Sequence, residues 1–143
     1  MTNKISWAHP GREEVHIQWG LEKDQLTDVS MKVIGSLPFL RYSQEIKKTL
    51  TGPLENLPIP SGSTSFALIW REVILRMQNK WKAPIPDGDL CHCRKVSGEK
   101  VARAIVYGAH SLDELRLRTS ANTGCGTCLN DAQSIIDYYL VKK

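Results

Sequence analysis

The chain has 143 residues, 41% of them hydrophobic and 24% charged, with a formal charge of +4 at neutral pH. That length holds one ordinary domain or two small ones, and the composition is that of a globular protein. No apolar run approaches the ~18 residues of a membrane span, and the charge is too dilute for a nucleic-acid binder, so neither partner is expected.

The N-terminal MTNKISWAHPGREE lacks an apolar core of signal type, which predicts a cytoplasmic address where thiols stay reduced. Val15, Ile17 and Trp19 then alternate with polar neighbours, the period of a half-buried strand. A Lys23-Asp24 turn leads to a second strand, Leu26 to Ile34, and the two predict an antiparallel hairpin. Ser36 can cap a helix carrying Leu40, Ile46 and Leu50, which Thr51-Gly52-Pro53 stops. LENLPIPSGSTS, residues 54–65, is loop by composition. A longer helix is expected over 64–82, with Phe66, Ile69, Trp70, Val73 and Met77 on one stripe. The tract APIPDG, residues 83–88, ends it and reads as an interdomain linker.

Three short helices are expected after the linker. Ser97 caps the first, which carries Val101, Ala104 and Ile105 and closes at Gly108. Ser111-Leu112-Asp113-Glu114 is a capping box that opens the second, bearing Leu115. The third starts near Gly126 and carries Ala132, Ile135, Ile136, Tyr139 and Leu140. So short a stretch with few large apolar side chains needs a metal, disulfides or a partner to be stable.

All four cysteines lie in this last part, in LCHCRKV (90–96) and NTGCGTCLND (122–131). Cys91-x-Cys93 and Cys125-x-x-Cys128 have 31 residues between their inner members. Folding the three helices back on themselves would bring the pairs together, and four thiolates suit either a tetrahedral zinc ion or an iron–sulfur cluster. Paired zinc ligands more often have two to four residues between them, whereas the first pair here has one. Gly124 and Gly126 let backbone N–H groups approach the Cys125 sulfur, and the positive end of the last helix would lie beside Cys128. Arg94 and Lys95, with Arg116 and Arg118, would offset the charge of a cluster and raise its reduction potential. Residues 91–143 carry 8 basic and 5 acidic side chains against 11 and 10 in residues 1–90, a local excess suited to an acidic protein partner.

His92, His9, His16 and His110 show no spacing of a metal site and are expected at the surface. Trp7, Trp19, Trp70 and Trp81 are expected in the core or at its rim. The SGSTS run has no glycine elbow or Asp/His pattern that would make a nucleophile.

The run CHCRKVSGEKVARAIVYGAHSLDELRLRTSANTGCGTCLNDAQSII resembles the bacterioferritin-associated ferredoxin-like [2Fe–2S] domain, which also forms the middle of the scaffold protein NifU. The resemblance rests on the C-x-C, the A-I before a helix-ending Gly, the T-x-A and the G-C-G-x-C. It implies Cys91, Cys93, Cys125 and Cys128 as cluster ligands. Residues 1–82 resemble the NifU/IscU scaffold domain in the order of hairpin, Gly35 turn and helices. The three cysteines of that scaffold are replaced by Pro10, Ser36 and Ser65, and a protonated serine hydroxyl is a poor iron ligand.

The expected fold is α+β, a small antiparallel sheet packed with helices followed by a small helical [2Fe–2S] module. The expected domains are 1–82, a linker at 83–90, and 91–143. The expected function is electron transfer or accessory work in iron–sulfur cluster assembly, without enzymatic activity. The partner would be an acidic redox or assembly protein, with a homodimer allowed. The alternative is a binding module in which the cluster, or zinc, is a structural staple.

Overall fold

A computed structural model describes residues 2–9, 11–85, 89–91, 96–119 and 129–140. The chain divides into two compact units, Met1–Ser61 with Phe66–Trp81, and Gly62–Ser65 with Lys82–Lys143. The architecture is α+β, with a three-stranded antiparallel sheet near the N-terminus and helices thereafter.

In the first unit, β1 (Thr2–Ala8), β2 (Glu14–Glu22) and β3 (Gln25–Ile34) pair in the order β1-β2-β3. The hairpin expected from the alternation is β2–β3. Lys23 and Asp24 both take positive φ, 52° and 64°, and join strands whose ends pair Glu22 with Gln25. Two consecutive positive φ values make the mirror-image turn whose twist suits a two-residue hairpin. β1 is an addition to the sequence expectation. Its polar residues hide the period, but it sets Trp7 opposite Val15 and Ile5 opposite Ile17. Trp7, Val15, Ile17 and Trp19 are all buried.

Gly35 links the sheet to α1 (Leu37–Thr49), and a Cβ there would lie 2.8 Å from the Phe39 ring. The Ser36 hydroxyl accepts from the Phe39 N–H at 3.4 Å, as expected of a cap. The buried face of α1 differs from the expected one: Phe39 and Ser43 are buried, while Leu40 and Ile46 are half-exposed. The reason is a side-chain pairing, because Ser43 Oγ accepts from Trp70 Nε1 at 2.9 Å. Phe39 and Tyr42 both pack against Phe66 with tilted rings, their centroids 5.1 and 5.8 Å from its own.

Phe66 belongs to α2 (Ser65–Met77), which ends sooner than the sequence suggests. Asn79 takes φ 59°, Asn79 N–H donates to Arg76 C=O, and Lys80 N–H donates to Leu75 C=O. This is a left-handed cap that satisfies the last carbonyls, with Asn standing in for the usual Gly. The helix is buried on more than one stripe, since Leu68, Ile74 and the carboxyl-bearing Glu72 join Ile69, Trp70 and Val73. Buried Glu72 is held by Arg76 at 2.8 Å, and Arg76 in turn lies over the Trp81 ring.

The second unit carries β4 (Asp89–Cys91) paired antiparallel with β5 (Val96–Ser97), then α3 (Gly98–Val106), α4 (Leu112–Thr119) and α5 (Leu129–Tyr139). The three helices were expected, and the two-stranded ribbon is added to them. α3 packs against both other helices. Val96, Val101, Ala102, Ile105, Val106, Leu115, Ile135 and Tyr139 make its core. Ala102 is buried rather than the expected Ala104, which lies two residues on and about 200° around the helix.

Candidate metal centre

The expected centre needs two cysteine pairs at helix starts, and the local folding explains how the first is anchored. Cys91 ends β4 and pairs with Val96, and Asp89 pairs with Ser97. Val96 is buried, which fixes the ribbon to the core beneath it. Ser97 ends the ribbon and starts α3 in one residue, its hydroxyl accepting from Lys100 N–H at 3.0 Å. Cys91 is therefore tied to the foot of α3. Cys93 lies within 92–95, and Cys125 and Cys128 within 120–128, outside the described residues, as do His92, Arg94 and Lys95.

α5 begins at Leu129, the residue after Cys128. A thiolate immediately before a helix has the unpaired N–H groups of its first turn beside it, which favours negative charge. In sequence, α4 precedes the second cysteine pair. Ser111 Oγ accepts from Glu114 N–H at 3.2 Å, the expected cap. Leu115 is buried, and Thr119 Oγ1 donates to the Leu115 carbonyl at 2.7 Å. α4 thus carries its two arginines in the last turn, a few residues before Cys125.

Those arginines differ. Arg118 Nη1 donates to the Tyr107 carbonyl at 2.6 Å, and the guanidinium lies against Gly108. Gly108 has φ 113° and closes α3, with its N–H and that of Ala109 donating back to Ile105 and Ala104. Arg118 is therefore a brace between α3 and α4. Arg116 Nη1 is bound to Asp113 Oδ1 at 3.1 Å, but its Nε is buried and has no acceptor among the described residues. A buried guanidinium N–H without an acceptor costs about 1–3 kcal/mol, more when charged. Two cysteine pairs are the donor set of a tetrahedral zinc ion or an iron–sulfur cluster, so the residues present fit such a centre.

Two other features were not visible in the sequence, and neither makes a competing metal site. His16 Nδ1 lies 2.8 Å from Ser6 Oγ on the neighbouring strand, and its Nε2 lies 3.4 Å from Glu14 Oε1 on its own strand. His110 meets the Ile105 carbonyl at 3.0 Å. Among the described residues no group of three or more His, Cys, Asp or Glu could hold a metal ion. His9, His16 and His110 are half-exposed. Trp7, Trp19 and Trp70 are buried and Trp81 is at the rim, as expected. Ser36 serves as a helix cap and Ser65 as the first residue of α2, while Pro10 lies outside the described residues.

Residues 90–138 match the sequence model of the BFD-like [2Fe-2S] binding domain. The match spans both cysteine pairs and leaves residues 1–89 outside it. The similarity is thus to an iron–sulfur, ferredoxin-like binding domain. Over 62 residues the chain is 34% identical to the nitrite reductase [NAD(P)H] large subunit of Klebsiella oxytoca. Those residues are 43% of this chain and 6% of that subunit, so the chain spans a small fraction of the relative's length. No solved structure matches it significantly. Among the described residues no helix is long and apolar enough to cross a membrane.

Proposed function

We propose that Cys91, Cys93, Cys125 and Cys128 hold one [2Fe–2S] cluster and that the chain carries single electrons to or from a protein partner. The family match over 90–138, spanning both cysteine pairs, carries this reading. The bound cluster would supply a one-electron couple. The chain's own part is to hold the sulfurs and to set the field around them. Cys91 is held by the ribbon, the start of α5 favours charge at Cys128, and the last turn of α4 brings positive charge.

The proposed partner is an acidic redox protein, and the chain itself catalyses no reaction. Leu117 is 87% exposed beside Arg118, an apolar contact with a basic flank. The similarity to part of a nitrite reductase subunit supports a place in an electron path. The domain limits proposed are 1–82, a linker at 83–90, and 91–143, in a cytoplasmic protein.

Accessory work in cluster assembly is the second reading, with residues 1–82 as a NifU/IscU-type shape without its thiols. The use of Ser36 as a helix cap, where that scaffold has a cysteine, supports a part that keeps shape and not chemistry.

Protein isolated without oxygen should contain two irons and two sulfides per chain and be brown, with bands that dithionite bleaches. A colourless chain holding one zinc would replace this reading with the structural-staple alternative. Transfer of iron from the loaded chain to an apo-ferredoxin, without electron donation, would favour the assembly reading.

A further inference from the structure

The corner at which β3 turns into α1 exposes apolar side chains between two cations. Ile34 ends β3 at 43% exposure and Leu37 opens α1 at 58%. Among the described residues four large apolar side chains are exposed, the others being Leu21 and Leu117, so two of the four fall at this one corner. Single exposed apolar residues are ordinary, whereas an apolar patch rimmed by charge marks a contact surface. Lys32, two residues before Ile34, is exposed on the same face of β3. Arg41, one turn beyond Leu37, is exposed on the same face of α1.

The corner is packed from beneath. A Cβ on Gly35 would lie 2.8 Å from the Phe39 ring and 3.2 Å from Glu13 Cγ, so the turn is closed in on both sides. Phe39 is fully buried, and the Ser36 cap fixes the first turn of α1. Ile34 and Leu37 therefore sit at a well-anchored junction and not at a fraying end. Among the described residues neither Lys32 nor Arg41 has an ion pair or a side-chain hydrogen bond. Two carboxylates border the corner, Glu13 against Gly35 and Glu14 opposite Ile34 in the sheet. Both are engaged already, Glu13 with Arg12 at 3.7 Å and Glu14 with His16 at 3.4 Å. The unit thus leaves two cations unanswered on either side of an apolar pair, and the complement is an apolar group between carboxylates.

We infer that the corner formed by Lys32, Ile34, Leu37 and Arg41 docks a protein segment whose carboxylates flank an apolar side chain. Ile34 and Leu37 receive the apolar side chain, and Lys32 and Arg41 meet the carboxylates. This gives the first unit a recognition role that goes beyond electron carriage and does not depend on a metal, since that unit has no cysteine.

The probe is a synthetic peptide with one leucine between two pairs of glutamates, titrated into the full chain labelled with nitrogen-15. Amide shifts in the wild-type chain should centre on residues 32–41 and weaken as salt rises. Reversing both charges, K32E with R41E, should raise the peptide's Kd about tenfold or more. L37Q should also weaken binding. K47E makes the same charge change at an exposed position on another side of α1 and should stay near wild type. A peptide with glutamines for its glutamates should not bind. No binding at millimolar peptide, shifts centred elsewhere, or an unchanged Kd in the doubly reversed variant overturns the inference. Binding to phosphatidylserine vesicles that the double reversal abolishes, without any response to the peptide, also overturns it and assigns the corner to a membrane surface. A chain that holds no iron defeats the proposed electron carrier and leaves this docking surface standing.

Discussion

The two units of this chain are similar in length but solve the problem of stability by different means. The first is built on large side chains: Trp7, Trp19, Phe39 and Trp70 are buried along with most of α2, and no cysteine is present. Each such residue contributes ~1.5–3 kcal/mol or more on burial, enough in sum to hold a small sheet and two helices. Among the described residues of the second unit the core is Val, Ala, Ile and Leu, with Tyr139 its largest fully buried member. Three short helices with so little to bury are marginal, and this is where all four thiols are placed. Folding and metal binding should therefore be coupled in the second unit and independent in the first.

The largest expected effect is removal of a proposed ligand. Cys125→Ser should abolish iron binding and the unfolding transition of the second unit together, while the first unit melts as before. Calorimetry of the full chain reads both transitions, and one unchanged second transition would break the comparison. A chelator that strips the metal should do the same to wild type.

Next is the core of the first unit. Trp70→Ala removes a fully buried ring and should cost ~3–5 kcal/mol in denaturant unfolding, with iron content and midpoint untouched. Ser43→Ala tests the polar part of the same contact. It leaves Trp70 Nε1 buried without its acceptor and should cost about 1–3 kcal/mol. Loss of iron in either variant would show that the units are not independent.

A smaller effect is expected at the caps. Ser97→Ala removes the acceptor for Lys100 N–H and should cost about 1 kcal/mol, seen in the transition of the second unit. It should be larger in metal-free protein, where no cluster fastens the ribbon ahead of α3.

The smallest concerns alkaline pH. Burial raises the Tyr42 phenol above its ordinary range, an effect the Arg71 charge partly opposes. The unfolded chain therefore gives up this proton first, near pH 10. Between that pH and the raised folded value the native state holds more protons, so stability falls as pH rises. Tyr42→Phe should flatten that fall, measured by denaturant midpoints across the window. Burial lowers Arg71, whose linkage has the opposite sign.

Much of this was legible in the residues because local chemistry decides it. The Lys23-Asp24 turn, the Ser36, Ser97 and Ser111 caps, the Gly108 stop and the three late helices each follow from a side chain acting on its own neighbourhood. The paired spacing of the cysteines is likewise local, and it is the basis of the metal centre proposed above. β1 escaped because its polar residues carry little period, and only pairing with β2 makes it a strand. The buried face of α1 escaped for a similar reason: Ser43 is polar in sequence but faces a tryptophan 27 residues away. α2 stops at Met77 because Asn79 adopts a left-handed conformation that composition alone does not demand.

The sequence by itself determined the kind of local structure at most described positions, because that depends on neighbours within a few residues. Tertiary structure alone decided which of two similar arginines on α4 is satisfied and which is left with a buried donor. Arg116 and Arg118 are the same residue type two positions apart. Packing of α4 on α3 distinguishes them, since it places the Tyr107 carbonyl in reach of Arg118.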